Sequence, residues 1–344
     1  MTNPLVDFGV THFGCAFGEE RDVATTAKDY VDDPERVMGW GCDTYHRAPD
    51  DVFAVDLATE AARKALADAR LDAADVDLVV LATSEMPEYL YWDSSAALAR
   101  DLGIERTKTL LLDNEGCGAG ITAFGHIAGA MAVHPDIETV VYAAVNRVSE
   151  HHRNRMNIND CVHSDGAAAA VLRRGHTGLR WLATEHFSDP DVCDWFRGDY
   201  GGAVAPVAPP GWTSAESVGY AKLHAHFGND PRRLERFLSA RNTNVVEAVD
   251  MALDRAGLTR EDIDRAVYIN DARPGAIQKI TDPLGVPADR TNARFAREHG
   301  HMGAADQLVS LALHHERGDL TPGSLIALCG ISTGMRWCAT LLRA

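Results

Sequence analysis

The segment Asp75-Val76-Asp77-Leu78-Val79-Val80-Leu81 decides the fold, because the chain contains it twice. The second copy, Asp262-Ile263-Asp264-Arg265-Ala266-Val267-Tyr268, aligns with it without a gap. Each copy follows a helical pattern, at residues 65–71 in one half and 252–258 in the other. An apolar run of strand length with polar ends is typical of a strand buried on both faces. The repeat therefore predicts two similar α/β units.

The repeat extends to both sides of these segments. The run VVYAAV at 140–145 matches the position of LIALCG at 325–330. We therefore predict two stacked halves, residues 1–175 and 176–344, with mostly parallel central strands around a shared core. The segment 185–241 between them is rich in proline, glycine and aromatic residues. It is either a cap over a pocket or a packed surface excursion, and we favour the cap.

A lone cysteine follows the next apolar run of the first half. The stretch reads Asp113-Asn114-Glu115-Gly116-Cys117-Gly118-Ala119-Gly120-Ile121, and a small-residue helical pattern continues to Met131. This order predicts a strand, a tight turn and a buried helix whose N-terminus favours the thiolate of Cys117. Flanking glycines would let a substrate approach closely. The alternative is a small buried cysteine at a crowded turn.

Composition excludes several classes of protein. A net charge of −17 argues against nucleic acid and anionic membranes as partners. The seven cysteines have no regular spacing, which argues against a disulfide framework or a zinc ribbon. His299 and His301 have no companion ligands at suitable spacing, so we expect no metal. No signal peptide or apolar run of membrane-spanning length is evident, and we expect a cytoplasmic protein.

Further candidate residues lie at other strand ends and helix starts. Asn270 and Asp271 end the second copy of the repeated strand, and His301 precedes a predicted helix at 304–315. Cysteine, histidine and carboxylate together are the equipment of nucleophilic acyl transfer. Asp271 could instead be a turn residue, the commoner role of aspartate near a Pro-Gly pair. The glycine-containing turn 330–334 could present the backbone N–H groups of Thr333 and Gly334 to an oxyanion.

The chain resembles the thiolase superfamily, and within it the ketoacyl-acyl carrier protein synthase III group. The resemblance spans nearly the whole chain. It rests on four segments: GCGAGI around Cys117, HSDGAAAAVL from His163, HGHMGAA from His299, and GMRW from Gly334. It implies a five-layered αβαβα sandwich, a homodimer, and acylation of Cys117 by an acyl thioester.

The departures from the family are as informative as the matches. Elongating members have a histidine in a His-Gln-Ala-Asn segment and an asparagine in a His-Gly-Asn segment, and both hold the thioester oxygen during decarboxylation. Here the first segment reads Asn270-Asp271-Ala272-Arg273, and His301 stands in the asparagine position. A carboxylate about 4 Å from a forming enolate would cost about 4 kcal/mol at an effective dielectric near 20. Decarboxylative condensation is therefore disfavoured.

The replacement residues suit a different reaction. Asp271 is expected to hold His301 in one tautomer, so that His301 acts as general base for an acceptor attacking acyl-Cys117. The alignment leaves open whether Asn270 or Asp271 occupies the family's histidine position. Asn270, Trp195 and Trp212 are candidate substrate-binding residues.

The resemblance therefore implies an O-acyltransferase of antibiotic or polyketide tailoring. It would move an intact malonyl, other short or aryl acyl group onto a hydroxyl of a sugar or aglycone, such as a glycosylated polyketide. The donor would be acyl-coenzyme A or an acyl carrier protein thioester, with no tightly bound cofactor. The alternatives are a chain-initiating synthase III that performs decarboxylative condensation, and an inactive ketosynthase partner.

Overall fold

The computed structural model describes residues 6–158, 160–212 and 219–344. In chain order the strands are β1 Phe8–Phe17, β2 Glu19–Asp22, β3 Thr44–Arg47, β4 Leu78–Thr83, β5 Lys108–Leu112, β6 Thr139–Asn146, β7 Gly166–Arg174, β8 Arg180–Ser188, β9 Ile263–Val267, β10 Leu325–Ser332 and β11 Arg336–Arg343. The helices are α1 Val23–Thr26, α2 Pro34–Met38, α3 Ala54–Ala69, α4 Ser94–Asp101, α5 Ala119–Val133, α6 Gly219–His226, α7 Pro231–Ala256, α8 Gln278–Thr281, α9 Ala293–His299 and α10 Asp306–Glu316.

The same strand pairing occurs in both halves of the chain. In the first half β1 pairs with β7 and β7 with β6, both antiparallel, while β4 pairs with β6 and β5 in parallel. In the second half β8, β11, β10 and β9 pair in the corresponding order and directions. A parallel bridge from Ala266 to Thr291 takes the place of β5. The two sets join where Gly9 of β1 meets Arg180 of β8.

The strands of the two halves form one nine-stranded sheet, and helices pack on both faces of each half of it. Helix α3 packs on β1, β6 and β7, and α7 packs on β8, β10 and β11. Helices α5 and α10 lie in the middle layer, where α5 reaches β8 and β11 and α10 reaches β1 and β7. The predicted αβαβα class is confirmed. The residue boundaries of the two halves stay a prediction.

The middle layer explains the composition of α5. A helix between two sheets is buried over most of its surface, so apolar residues occur around most of it. The segment Gly116–Val133 is in fact long and apolar enough to cross a membrane by length and composition, but 61% of it is buried inside the protein. The expectation that no such run exists was wrong, because a helix enclosed by two sheets has the same composition as a membrane span.

The segment between the halves is shorter than predicted. Strand β8 continues to Ser188 and α7 begins at Pro231, so both ends of the predicted insertion belong to regular elements of the second half. What remains is residues 189–230, of which 213–218 lie outside the described residues.

Two matching turns lead into the middle-layer helices. Gly116–Gly118 forms a 3-10 turn before α5, and Gly303–Ala305 forms one before α10. Both turns begin with a glycine at positive φ, +58° at Gly116 and +48° at Gly303. The two turns contact each other. They bring the ends of the two halves together at one place.

Candidate active site

Cys117 lies in the middle of the first turn, between β5 and α5. The turn packs tightly against the loop that follows β10. A Cβ at Gly116 would collide with Thr333 Oγ1, and a Cβ at Gly118 would lie 2.6 Å from Ser332 Oγ. The close approach of the Thr333 and Ser332 side chains therefore favours glycine on both sides of Cys117.

Cys117, His301 and Asp306 form a continuous hydrogen-bonded chain. The Sγ atom of Cys117 is 3.0 Å from Nε2 of His301, and Nδ1 of His301 is 2.6 Å from Oδ2 of Asp306. His301 is 5% exposed and Asp306 is fully buried. A nucleophile, a base and an orienting carboxylate in this order are the arrangement of nucleophilic catalytic triads.

Asp306 is held from several directions at the first position of α10. Its Oδ2 also accepts the backbone N–H of Asn270 at 2.7 Å, and its Oδ1 accepts that of Met302 at 2.6 Å. These bonds fix the carboxylate, and the carboxylate in turn fixes the His301 ring. Sequence reasoning missed Asp306, although it directly follows the HGHMGAA segment. An acidic residue at the start of a buried helix was the available signal.

The charge of Asp306 sets the protonation of His301. Burial by itself would lower the pKa of His301, but the Asp306 carboxylate and the neighbouring Cys117 side chain raise this pKa well above its ordinary value. The imidazolium form is thus stabilised between Asp306 and Cys117. His301 can accept a proton at Nε2 and keep it while Nδ1 donates to Asp306.

Asp271 does not hold His301, and that prediction was wrong. Its carboxylate makes a two-pronged salt bridge with Arg273, with Oδ1 2.9 Å from Nε and Oδ2 2.6 Å from Nη2. The backbone turns sharply here, with the Asp271 N–H donating to the Ile269 carbonyl, and the side chain points to Arg273. Asp271 does line the catalytic cavity. Arg273 balances the negative charge of Asp271. The electrostatic repulsion that Asp271 was expected to exert on an enolate is therefore weaker.

The side chain of Asn270 is turned away from the cavity. Its Nδ2 donates to the Gly300 carbonyl at 3.1 Å, and its Oδ1 accepts from Nδ2 of Asn292 at 2.8 Å. The residue is 2% exposed. Asn270 thus supports the loop that carries His301, and its predicted contact with substrate is not supported by this placement.

A second histidine lies against the first. The rings of His163 and His301 meet edge to face, with centroids 4.9 Å apart. Burial, together with the nearby charge of His301, lowers the pKa of His163 well below its ordinary value. His163 bonds the Ile158 backbone, and its Nδ1 has no partner within the described part of the chain. Because a neutral imidazole has one N–H, and this N–H donates to the backbone carbonyl, the other ring nitrogen, Nδ1, is an acceptor.

The cavity around Cys117 is lined by several charged side chains. Glu85 is 8% exposed, burial raises its pKa, and its Oε1 lies 3.8 Å from Nη1 of Arg153. Arg241 also lines the cavity, and its Nε is buried without a hydrogen-bond partner among the described residues. Further unpartnered buried polar atoms of the cavity lining are Glu85 Oε2, His163 Nδ1, Trp195 Nε1 and Ser332 Oγ. Such atoms in a cavity are available to a ligand.

An outer cavity continues from this one under residues 193–212. Trp195 and Phe196 line both cavities, and their rings stack with centroids 4.8 Å apart. Trp212 lines the outer cavity and meets Tyr200 edge to face at 4.5 Å. The cap interpretation of this segment agrees with its position over the cavities, although its role stays a prediction.

The turn predicted to supply oxyanion N–H groups lies beside Cys117. Thr333 lines both cavities, and Gly334 lines the outer one. The Thr333 backbone nitrogen would lie 3.1 Å from a Cβ placed on Gly116, which sets this N–H close to the Cys117 turn. The predicted oxyanion contact itself stays a prediction. Within residues 6–158, 160–212 and 219–344 no group of three or more histidine, cysteine or acidic side chains is placed to hold a metal.

Comparison with known proteins gives consistent similarities. Residues 253–344 match the family described as 3-oxoacyl-[acyl-carrier-protein] synthase III C terminal. A β-ketoacyl-[acyl-carrier-protein] synthase III of Synechocystis (strain PCC 6803) is 29% identical over 294 residues, covering 83% of this chain and 82% of the relative. The protein of the same name from Ruegeria (strain TM1040) is 29% identical over 312 residues, covering 88% of each chain.

A solved structure shows the same fold. ChlB3, described as an acyltransferase, superposes with a TM-score of 0.82 at 23% identity, covering 98% of both chains. At this identity the likeness speaks for the fold alone. The chain thus has a thiolase-like fold and is similar in sequence, over most of its length, to the β-ketoacyl-[acyl-carrier-protein] synthase III enzymes.

Proposed function

We propose that this protein is an acyltransferase that moves an intact acyl group from a thioester to a hydroxyl, through an acyl-Cys117 intermediate. The observation that carries the proposal is the chain Cys117–His301–Asp306, with separations of 3.0 and 2.6 Å. Sequence similarity to β-ketoacyl synthase III enzymes supports an acyl thioester as the donor.

In the first half-reaction the Cys117 thiolate attacks the thioester carbonyl. The carbon–sulfur bond to the donor breaks, and the donor leaves as a thiol after taking the proton from His301. Positioned N–H groups near Thr333 and Cys117 would stabilise the oxyanion that forms on the carbonyl oxygen. His301 is then neutral and its Nε2 is free to accept a proton.

In the second half-reaction an acceptor hydroxyl attacks acyl-Cys117. His301 Nε2 takes the hydroxyl proton, the ester bond forms, and the Cys117 thiolate leaves. Asp306 stabilises the resulting imidazolium, which again lies beside a thiolate. The raised pKa of His301 fits this role, because a base must hold the proton once it has received it.

Condensation with loss of carbon dioxide has weaker support. The enolate formed in that reaction needs two hydrogen-bond donors on one oxygen, and His301 Nε2 is the donor found 3.0 Å from Cys117 Sγ among the described residues. Asn270 donates to Gly300 instead, and His163 presents an acceptor atom. The names of the relatives favour condensation as the second candidate.

The outer cavity suggests the acceptor class. Flat aromatic side chains around a recess, with a few polar groups, are typical of sites for sugars and aromatic aglycones. Phe196, Tyr200 and Trp212 supply such a surface next to the catalytic cavity. The acceptor we propose is a sugar hydroxyl or an aglycone hydroxyl of a secondary metabolite, with acyl-coenzyme A or an acyl carrier protein as donor.

We also propose a homodimer. Strand β5 is the edge of the sheet, and the nearby loop exposes Met86, Tyr89, Leu90 and Tyr91. An exposed sheet edge next to an apolar patch is a typical interface between copies of a chain. Light scattering should give twice the chain mass of 37.3 kDa, and a Leu90→Glu, Tyr91→Glu variant should shift the protein to the monomer. A wild-type monomer at micromolar concentration would contradict this arrangement.

The activity is tested in two stages. The protein is first incubated with acetyl- and malonyl-coenzyme A, and intact-protein mass spectrometry measures label on Cys117. Excess donor is then removed, glycosylated aromatic acceptors are added, and ester product and carbon dioxide are measured. We expect ester formation with loss of the acyl label and no carbon dioxide. Cys117→Ser serves as the control for nonspecific acylation.

The other outcomes distinguish the alternatives. Carbon dioxide with a carbon–carbon product from malonyl thioester would indicate a condensing synthase. A protein that never acquires label with either thioester would indicate an inactive partner. If the acyl label on Cys117 were stable toward hydroxyls but transferred to amines, the first half-reaction would stand and the acceptor class would be an amine.

A further inference from the structure

One arginine that lines the catalytic cavity has no counter-ion among the described residues. Of the arginines that line it, Arg273 is paired with Asp271, and Arg153 faces Glu85. Arg241 forms no salt bridge with the described residues, and its buried Nε has no partner among them. Arg241 as a whole is half-buried, but its buried Nε–H is costly unless a ligand supplies an acceptor.

A second unused donor lies on the same wall. The Nε1 atom of Trp195 is also buried without a described partner. The Trp195 ring packs edge to face on Phe237 at 5.4 Å, and Arg241 follows Phe237 by one turn of α7. Both residues line the cavity that contains Cys117 and His301. Indole and guanidinium nitrogens are donors only, so together they form a receptor for an anion.

The position of Arg241 is fixed by its backbone. Trp337 Nε1 donates to the Arg241 carbonyl at 2.8 Å, and this bond survives any substitution of the Arg241 side chain. The acceptor atoms that lack partners, Glu85 Oε2 and His163 Nδ1, belong to other chain segments. The cavity therefore offers donors from the Trp195–Arg241 wall to an anionic group of the substrate.

We propose that the acyl group carried by Cys117 has a free carboxylate, as in a dicarboxylic acid monothioester of the malonyl type, and that Arg241 and Trp195 bind this carboxylate. The inference rests on the proposed acyl-Cys117 function and names its acyl class. A carboxylate engaged by a guanidinium is stabilised in its charged form, which opposes loss of carbon dioxide and preserves the acyl group for transfer.

The test measures loading of Cys117 before any acceptor is present. Malonyl-coenzyme A is compared with its methyl ester, which has the same carrier and a similar shape but no negative charge. The rate of Cys117 acylation is followed by mass spectrometry. We expect the wild type to load malonyl at least about 10-fold faster than the ester, because charge-assisted hydrogen bonds supply the discrimination.

Substitutions of Arg241 and Trp195 test whether these two residues cause the preference for malonyl over its methyl ester. Arg241→Met should slow malonyl loading by about 10- to 100-fold and leave ester loading within about 3-fold. Arg241→Lys keeps the charge without the planar fork and should lie between these values. Trp195→Phe keeps the ring and removes the N–H, and should reduce the preference by about 3- to 10-fold. Arg236→Gln, an exposed arginine on the same helix, is the matched control and should change nothing.

Each outcome separates this inference from the proposed function. Equal loading of malonyl and ester by the wild type overturns the inference and leaves the acyltransferase intact. An Arg241→Met variant that loses both substrates equally would assign Arg241 to the phosphopantetheine or phosphate portion of the donor, which also overturns it. Malonyl-selective loading without transfer to any hydroxyl contradicts the proposed function and supports the carboxylate site. Failure to load any thioester overturns both.

Discussion

The two middle-layer turns have the same backbone and opposite chemistry. Gly116–Gly118 and Gly303–Ala305 each begin at positive φ, each lead into a buried helix, and occupy corresponding places in the two halves. The first presents a thiol at its central position. The second has Ala304 there, and its functional groups flank it, with His301 just before the turn and Asp306 at the start of the helix. One backbone design thus provides a nucleophile in one half and a base with its support in the other.

The difference shows how a duplicated fold can divide a catalytic triad. Cys117 lies in the first half, whereas the residues hydrogen-bonded in a chain with it, His301 and Asp306, lie in the second. Contact between the turns is close, because a Cβ on Gly120 would collide with the Ala304 carbonyl. The site is therefore completed only when the halves pack together.

The largest effect is expected from moving the thiol between the turns. Cys117→Ala should lower acylation by about 10⁴-fold or more, because it removes the thiol that lies 3.0 Å from His301 Nε2. The double variant Cys117→Ala, Ala304→Cys should remain inactive, since His301 Nε2 faces the first turn. Thioester turnover is the measurement. Recovery of activity in the double variant would show that the turns are interchangeable.

A smaller but still large effect is expected at the carboxylate of the second turn. Asp306→Asn should slow transfer by about 10²- to 10⁴-fold, since it removes the charge that orients and supports His301. The pKa of His301 falls without that anion, so the rising limb of the pH–rate profile should move to lower pH. Asp271→Asn is the matched control and should leave this limb in place. A shift of the limb in Asp271→Asn would restore Asp271 as the partner of His301.

Substitution of the first glycine of each turn, Gly116 and Gly303, tests whether the two turns are equally strained. Gly116→Ala and Gly303→Ala should each cost about 1–3 kcal/mol of unfolding free energy, because both have positive φ and both would collide with a neighbour, Thr333 or Ser84. Gly129→Ala, on α5 with open space around it, should be neutral or stabilise by about 0.5–1 kcal/mol. Urea unfolding of the three variants provides the comparison. If Gly116→Ala and Gly303→Ala both left the unfolding free energy unchanged, tight packing at the turns would be contradicted.

The smallest effect concerns an ion pair at the first turn only. Burial opposes ionisation of Glu115, yet hydrogen bonds from His126 and Thr122 and the charge of Arg336 lower its pKa to about 2. A lowered pKa stabilises the folded state above the ordinary carboxyl range, and this stability is lost as pH falls toward 2. Glu115→Gln should therefore lower Tm by about 1–2 °C near neutral pH, because about 1 kcal/mol of unfolding free energy is lost. The difference from wild type should vanish near pH 2, and a constant difference would contradict the assignment.

Much of the site could be predicted from local sequence. Cys117 between glycines after an apolar strand and His301 before a helix were both found, and the structure brings them to 3.0 Å. Such residues stand out because turns, strands and helix starts have characteristic composition. The carboxylate was misassigned because Asp271 and Asp306 both follow strand or turn patterns, and choosing between them required knowing which one faces His301. Arg241 gave no local signal, since an arginine on a helix usually faces solvent.

The sequence by itself determined that the chain has two similar α/β halves, and it predicted Cys117 and His301 as the reactive groups. Periodicity, glycine placement and the internal repeat are properties of neighbouring residues, so they can be read along the chain. Only the tertiary structure decided that Asp306 supports His301, that Asn270 faces the interior, and that Arg241 enters the cavity. These choices depend on how α7, α10 and the loop after β9 pack together, and small differences in side-chain direction there separate a catalytic partner from a structural one.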